Sequence, residues 1–153
     1  MNQDSFVADW KLFHALDMRS TSVDCKENQV LFNQGDPAEG LFIIRDGEAS
    51  LVILSRTDDI IFSFCAGPDS VLGVPAVVGS QPYSLTATVR KGSNVGFVER
   101  DEFNDLLRKD PSLYPSVLKL LAGELNDVRK AIASHLSRPA SQGTSTLTIL
   151  SQP

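Results

Sequence analysis

The sequence has few of the residues from which metal and catalytic sites are built. It contains two cysteines, Cys25 and Cys65, without C-x-x-C spacing, and two histidines, His14 and His135. A structural zinc site or an iron–sulfur cluster normally requires four such ligands. No G-x-S-x-G, P-loop or H-E-x-x-H motif is present. We therefore expect no metal site, no catalytic residue and no enzymatic activity.

Positive charge and long apolar runs are also scarce. The chain carries 14 Lys and Arg against 19 Asp and Glu, a net charge of −5, and its basic residues form no run. An acidic surface repels phosphate backbones, so nucleic-acid binding is not expected. No apolar stretch reaches the roughly 20 residues that span a bilayer, and the first residues contain no signal-peptide core. Isolated free cysteines suit a reducing compartment, so we expect a cytoplasmic protein without membrane contact.

The composition supports one folded domain. The 153 residues are 42% hydrophobic, which is sufficient for a single core. Residues 6–18 place apolar side chains three and four positions apart, which predicts a helix. Its buried face should contain Phe6, Val7, Trp10, Phe13 and Leu16.

Short runs rich in Val, Ile, Phe and Thr follow this helix and predict strands. They are residues 30–33, 41–45, 49–54, 60–64, 84–89 and 94–98. Turn-forming residues separate them; Asp46-Gly47 predicts a hairpin, and Asp58 with Asp59 predicts a solvated hairpin tip. Many short strands at even spacing indicate an antiparallel sandwich, roll or barrel.

The C-terminal part returns to a helical pattern. Residues 100–109 predict a short helix, Asp110-Pro111-Ser112 a restart, and residues 113–136 a long helix. Along the long helix, apolar residues alternate at spacings of three and four, as in a coiled-coil seam: Leu118, Leu121, Leu125, Val128 and Ile132. This seam could pair two copies of the chain, or it could pack on the chain's own β-domain. His135 continues the seam and is interpreted as a seam or end residue.

The segment from residue 72 to residue 89 interrupts the strands with Gly73, Pro75 and Gly79. Residues 74–78 could form one helical turn, whose unpaired N–H groups could bind an anion. The simpler interpretation is an ordinary connecting loop.

The order of these features resembles the cyclic-nucleotide-binding domain of the catabolite-activator (CRP/FNR) superfamily. The resemblance covers about residues 6–136. It is carried by Gly35, Asp36, Pro37, Leu41, Ile43, Gly47 and Glu48, by Leu72-Gly73 where the phosphate-binding cassette opens, and by Ala87-Thr88-Val89 where the cassette closes.

The resemblance implies a mainly β fold: a double-stranded β-helix, or jelly-roll β-roll, with an N-terminal helix and a long C-terminal dimerisation helix. The chain would divide into an N-terminal helix and linker (1–26), the roll (27–99), the helices (100–136) and a flexible tail (137–153). Family transcription factors continue into a helix-turn-helix domain, which this sequence lacks, so direct DNA binding is not expected.

The sequence departs from the family at two cassette positions. Ligand-binding members have a Glu after the cassette Gly, where this chain has Val74. The Arg that pairs the cyclic phosphate falls at Tyr83 or at Leu85, depending on the direction of counting. Losing both contacts would weaken binding by roughly a hundredfold or more. We therefore expect no cofactor, and we expect cyclic nucleotide binding of the usual kind to be lost.

Two hypotheses remain. The first is a sensor of a small-molecule effector that signals as a homodimer through the seam, with a pocket formed by Gly73, Val74, Pro75, Ala76, Val77, Tyr83, Ser84, Leu85 and Thr86. The second is an interaction or scaffold domain with a closed pocket and a protein partner. A metal enzyme on a similar roll is set aside because both histidines lie outside the β-region, and a haem sensor would need Cys25 or Cys65 as ligand.

Overall fold

The structure is a computed structural model that describes residues 4–136. The predicted tail (137–153) lies outside the described residues, as does the side chain of His135.

Two four-stranded antiparallel sheets form the centre of the molecule. Their strand orders are β1-β8-β3-β6 and β2-β7-β4-β5. The strands are β1 (Thr21–Val23), β2 (Gln29–Phe32), β3 (Gly40–Asp46), β4 (Ala49–Leu54), β5 (Ile60–Ala66), β6 (Val71–Leu72), β7 (Thr86–Val89) and β8 (Asn94–Glu99). Buried side chains from both sheets, such as Ile43 and Leu51, belong to one hydrophobic core. The predicted mainly β roll is therefore confirmed.

The turn at Asp46-Gly47 corrects one prediction. It does not close a hairpin, because β3 pairs with β6 and β8, whereas β4 pairs with β5 and β7. The turn instead carries the chain from one sheet to the other. A Cβ on Gly47 would lie 2.1 Å from the Ser93 hydroxyl oxygen, so this crossing requires glycine. The true hairpin joins β4 and β5, with Asp58 and Asp59 exposed at its tip as predicted.

The N-terminal helix is shorter than predicted. A single 3-10 turn spans Asp4–Phe6, and α1 runs from Trp10 to Asp17. The Asp9 carboxylate accepts a hydrogen bond from the Leu12 amide at 2.9 Å, which caps the helix at that point. Trp10, the first residue of α1, is 79% exposed, and Val7, which precedes the helix, is 39% exposed. Leu16 is buried as predicted, and Leu12 is buried although it was not predicted. The expectation that Trp10 faces the core was wrong.

The C-terminal helices agree with the sequence pattern. Helix α3 spans Arg100–Lys109, with acidic residues in its first turn and basic residues in its last, as the helix dipole favours. A 3-10 turn at Pro111–Leu113 then leads into α4 (Tyr114–Leu136). Leu113, Val117 and Leu120 are buried against the core, so the first turns of α4 are fixed to the roll. Within residues 4–136, no helix is long and apolar enough to cross a membrane.

Candidate ligand cavity

The segment from residue 72 to residue 89, which we call the cassette segment, contains a short helix whose side chains fill the core. Helix α2 spans Val74–Gly79, with Gly73 at its N-cap. Val74, Ala76 and Val77 are each less than 5% exposed and belong to the hydrophobic core. These side chains therefore hold α2 against the roll. Pro75 lies in the first turn and has no N–H group, which removes one of the donors a bound anion could use.

Tyr83 is also part of the packed interior. Its hydroxyl donates a hydrogen bond to the Gly40 carbonyl at 2.6 Å, and its ring stacks on Phe32 with a centroid separation of 3.9 Å. Burial raises the pKa of the Tyr83 phenol. The hydroxyl proton is thus already used within the fold.

A cavity of about 260 Å³ lies between the roll and α4. We call the residues contributed by the cassette segment its cassette wall: Pro75, Ser84 and Leu85. We call the residues contributed by the long helix its α4 wall: Leu121, Glu124, Leu125, Asp127 and Val128. Phe6, Ile53 and Phe64 complete the lining.

The predicted pocket residues therefore divide into two groups. Three of them line the cavity and form the cassette wall. The other six lie elsewhere: Gly73, Val74, Ala76, Val77, Tyr83 and Thr86. The Thr86 hydroxyl, for example, accepts a hydrogen bond from the Gln34 amide at 2.9 Å.

The α4 wall brings two carboxylates to the cavity that sequence analysis did not include. The Oε2 atom of Glu124 has almost no exposed surface and no hydrogen-bond partner among the described residues. Burial, with a smaller contribution from the nearby Asp127 carboxylate, raises the pKa of Glu124 to about 8. Asp127 has a partner, because the Ser5 hydroxyl donates a hydrogen bond to it. A glutamate flanking the apolar seam was the available signal.

The contact between the N-terminal turn and α4 depends on a small residue. A Cβ on Gly123 would lie 2.9 Å from the Cβ of Ser5. Glycine at this position lets the turn approach the helix closely. That approach brings Ser5 to Asp127 and Phe6 to the cavity.

The five predicted seam residues differ in how far they are exposed on α4, and Leu121 packs against the core. Leu118 and Leu125 are 62% and 54% exposed, while Leu121, Val128 and Ile132 are partly buried. The residues that α4 buries in the core are instead Val117 and Leu120. Leu121, Leu125 and Val128 thus belong both to the predicted seam and to the α4 wall.

A wider groove of about 620 Å³ lies elsewhere on the molecule. Glu39, Glu99, Arg100 and Asp101 are among the residues that line it, and neither the cassette wall nor α4 contributes. The loop after α2 contributes Ser80, Gln81 and Pro82, but none of the predicted pocket residues lines the groove, so we assign it no role.

The cysteines do not converge with other ligands. Among the residues that the structure describes, no three His, Cys, Asp or Glu side chains could hold a metal ion. Burial raises the pKa of both Cys25 and Cys65, so both are thiols at neutral pH.

Comparison with known proteins places this arrangement in a family. The model of the cyclic nucleotide-binding domain matches residues 22–110, more than half of the chain. The chain belongs to this family. The matched region of this cyclic nucleotide-binding domain includes every strand from β2 to β8, together with α2 and α3.

Relatives of the domain are regulatory proteins. The anaerobic regulatory protein of Pasteurella multocida (strain Pm70) is 28% identical over 107 residues, which are 70% of this chain and 39% of that protein. The chain thus matches well under half of the length of that relative.

Solved structures share the fold. The catabolite activator protein of Thermus thermophilus aligns with a TM-score of 0.69 at 18% identity, over 82% of this chain and 59% of that one. Oxidised CprK in complex with o-chlorophenolacetic acid aligns with a TM-score of 0.69 at 15% identity, over 90% of this chain and 57% of that one. The sensor domain of the transcriptional regulator DNR from Pseudomonas aeruginosa aligns with a TM-score of 0.58 at 18% identity, over 76% of this chain and 78% of that one. At these identities the alignments show the fold alone.

Proposed function

We propose that this chain is a ligand-sensing regulatory module. A small molecule occupies the cavity, and α4 transmits its presence to a second copy of the chain. One observation carries the proposal: the cassette segment and the helix with the predicted dimer seam both line the same cavity. A molecule bound there would contact both.

The proposed mechanism is a shift between two arrangements of α4. A ligand changes such an equilibrium only if it binds one arrangement more tightly than the other. Leu121, Leu125 and Val128 line the cavity and also continue the seam, so a ligand that touches them acts directly on the dimer surface. Signalling then needs no longer path through the roll.

The cassette of this module is degenerate. Val74 and Tyr83 are packed in the core, and Leu85 presents an apolar side chain to the cavity. A buried phosphate needs a compensating charge or several N–H donors. The cavity supplies no basic side chain from its described lining, so we propose an effector other than a cyclic nucleotide. The complex of CprK with o-chlorophenolacetic acid supports a small aromatic molecule as the kind of ligand that we propose for this cavity.

The dimer part of the proposal rests on Leu118 and Leu125. Both are large, apolar and more than half exposed in the single chain, and they are seven residues apart on α4. Burying an exposed leucine contributes roughly 1.5–3 kcal/mol, so a second α4 is the natural cover for this surface. Light scattering should show a dimer at tens of micromolar. The double variant Leu118→Glu/Leu125→Glu should be monomeric, whereas Lys119→Glu, on the same exposed helix, should stay dimeric. A monomeric wild-type protein would refute the dimer.

The cavity is tested with a neutral aromatic probe, 2-phenylethanol. A ligand present at ten times its Kd stabilises the folded state by about 1.4 kcal/mol, which denaturant unfolding detects. We expect this stabilisation in the wild type and in Val78→Trp, which alters an exposed residue of α2 outside the cavity. Leu85→Trp, which fills part of the cavity, should abolish it. Equal stabilisation of Leu85→Trp would show that the probe binds elsewhere.

A scaffold with a closed pocket is the second candidate. The burial of Val74, Ala76, Val77 and Tyr83 favours it, because these predicted pocket residues act as ordinary core. If the wild-type protein shows no stabilisation by 2-phenylethanol up to millimolar concentrations, the scaffold becomes the better explanation.

A further inference from the structure

Glu124 lines the cavity and has a carboxyl oxygen without a hydrogen-bond partner in the part of the chain that the structure describes. The side chain as a whole is half-buried, but its Oε2 atom has almost no exposed surface and no hydrogen-bond partner among residues 4–136. An unsatisfied buried acceptor is costly, and native proteins rarely retain one without a reason. A ligand that donates a hydrogen bond would supply that reason.

The surroundings of Glu124 determine the sign of the charge that fits. Asp127, on the same helix, is the other titratable side chain in the described lining. The N-terminal turn, β4, β5 and the cassette segment contribute Phe6, Ile53, Phe64, Pro75, Ser84 and Leu85, none of which titrates. A phosphate or carboxylate placed here would lie beside two carboxyl groups without a compensating cation. A cation placed here would lie beside two carboxyl groups that can carry the opposite charge.

We propose that the effector is an amine on a small apolar body, and that its nitrogen binds the carboxyl group of Glu124. This inference rests on the proposed ligand-sensing function and specifies its ligand class. The apolar part of the molecule packs against Phe64, Leu85 and Leu125, which supply most of its contact surface. A cavity of about 260 Å³ is slightly smaller than the roughly 300–1,000 Å³ of drug-sized ligand pockets, so a single ring with a short chain is the expected size.

The protonation state of Glu124 allows this binding mode to be measured as a release of protons. With a pKa of about 8, the carboxyl group is mainly protonated at pH 7 in the empty cavity. When an ammonium group binds, the carboxyl group loses its proton to the solvent and forms a carboxylate–ammonium pair. At pH 7 about 0.9 protons should be released per amine bound, and at pH 9 about 0.1.

The predicted dimer offers Glu124 a rival partner. In a parallel coiled coil with Leu118 and Leu125 at equivalent heptad positions, Glu124 would lie near Arg129 of a second copy. If that pair forms, the carboxylate is already satisfied and an amine gains little. The experiment therefore includes Arg129→Gln, a variant on an exposed position of α4.

The test compares three probes that share a benzene ring and a two-carbon chain: 2-phenylethylamine, 2-phenylethanol and phenylacetate. Titration calorimetry is done with the full chain as wild type, Glu124→Gln, Arg129→Gln and the exposed-surface control Glu27→Gln. In the wild type, the amine should bind roughly ten- to a hundredfold more tightly than phenylacetate, since hydrogen bonds to charged groups are worth that factor. Glu124→Gln should remove most of this preference, with the smaller contribution of Asp127 remaining, and leave the affinity for 2-phenylethanol within about twofold. Buffers of different ionisation enthalpy should report the proton release, which Glu124→Gln should lack.

Each outcome decides the inference. An amine preference that Glu124→Gln mostly removes, and that Arg129→Gln and Glu27→Gln retain, supports it. If 2-phenylethanol binds but the amine is no better than phenylacetate, the ligand class is wrong and the ligand-sensing function stands. If the preference appears only in Arg129→Gln, Glu124 serves the dimer and the inference is overturned. If no probe binds up to millimolar concentrations, both the inference and the sensing function are overturned.

Discussion

The cassette wall and the α4 wall differ in chemistry, although they line the same cavity. The cassette wall presents Pro75, Ser84 and Leu85, which carry no charge. The α4 wall presents Glu124 and Asp127 among its apolar side chains. In the resemblance to cyclic-nucleotide-binding domains, the charged contacts belong to the cassette. In this chain the cassette wall carries no charge, and the carboxyl groups of the described lining lie on the helix.

This difference has a consequence for signalling. A charge on the cassette wall would attract a ligand to the rigid roll, and the helix would respond only to the ligand's shape. Under the proposed function, a charged group on the α4 wall would hold the ligand at the helix itself, within one turn of the exposed Leu125. Recognition and response would then involve the same element, so the energy of the charge interaction can act directly on the position of α4.

The largest expected effect comes from neutralising the α4 wall with Glu124→Gln. Folding raises the pKa of Glu124 from 4.5 to about 8, so the folded protein holds this proton more tightly than the unfolded chain. The contribution of this group to stability is full below pH 4.5 and is lost as the pH rises through 8. At 1.4 kcal/mol for each tenfold change in proton affinity, the loss reaches at most about 5 kcal/mol at pH 9.

Urea unfolding of wild type and Glu124→Gln between pH 5 and pH 9 measures this effect. The free energies of unfolding of the two proteins should differ least at pH 5. The stability of the variant relative to the wild type should then increase up to pH 9. Glu27→Gln, at an exposed position before β2, should follow the wild type throughout. Parallel curves for wild type and Glu124→Gln would show that the carboxyl group is solvated.

An intermediate effect should follow from adding a positive charge to the cassette wall with Leu85→Lys. An ammonium group in the same cavity favours the ionised form of Glu124 and lowers its pKa. The pH-dependent loss of stability should shrink by at least about 2 kcal/mol between pH 5 and pH 9. The affinity for 2-phenylethylamine should fall more than about tenfold, because the introduced lysine competes for the carboxylate.

Leu85→Met is the matched control for this variant, because it keeps the volume and adds no charge. It should retain both the pH profile and the amine affinity of the wild type. If Leu85→Lys and Leu85→Met give the same pH profile, the two walls do not interact across the cavity.

The sequence predicted much of the fold, because turn residues and hydrophobic period are local signals. The strands at residues 41–45 and 49–54, and the helix at residues 100–109, agree with β3, β4 and α3. Strands β1 and β6 were not predicted, since three and two residues are too few to show a period. The prediction of a hairpin at Asp46-Gly47 was wrong for a different reason. The turn residues were recognised, but the sheet that each strand joins depends on distant partners such as β8.

The cavity was less predictable than the fold. Counting along the cassette selected Pro75, Ser84 and Leu85, which do line the cavity, because they belong to a single segment. It also included Val74 and Tyr83, since spacing does not show whether a side chain points to a cavity or to the core. The glutamate beside the seam was the signal for Glu124, but its place at the cavity depends on how α4 lies against the roll. That packing leaves its Oε2 atom buried and without a hydrogen-bond partner among the described residues.

The smallest expected effect distinguishes residues of the cassette wall from neighbouring residues that only pack in the core. Tyr83→Phe keeps the ring that stacks on Phe32 and removes the hydroxyl that donates to the Gly40 carbonyl. The loss of one buried hydrogen bond should lower the free energy of unfolding by about 1 kcal/mol. The affinity for 2-phenylethylamine should stay within about twofold, because the hydroxyl is directed at the backbone of β3. Tyr114→Phe, at an exposed position where α4 begins, should change neither quantity. A loss of amine affinity beyond about tenfold at unchanged stability would instead place Tyr83 in the cassette wall, and the charge of α4 would then not be the only polar feature that selects the ligand.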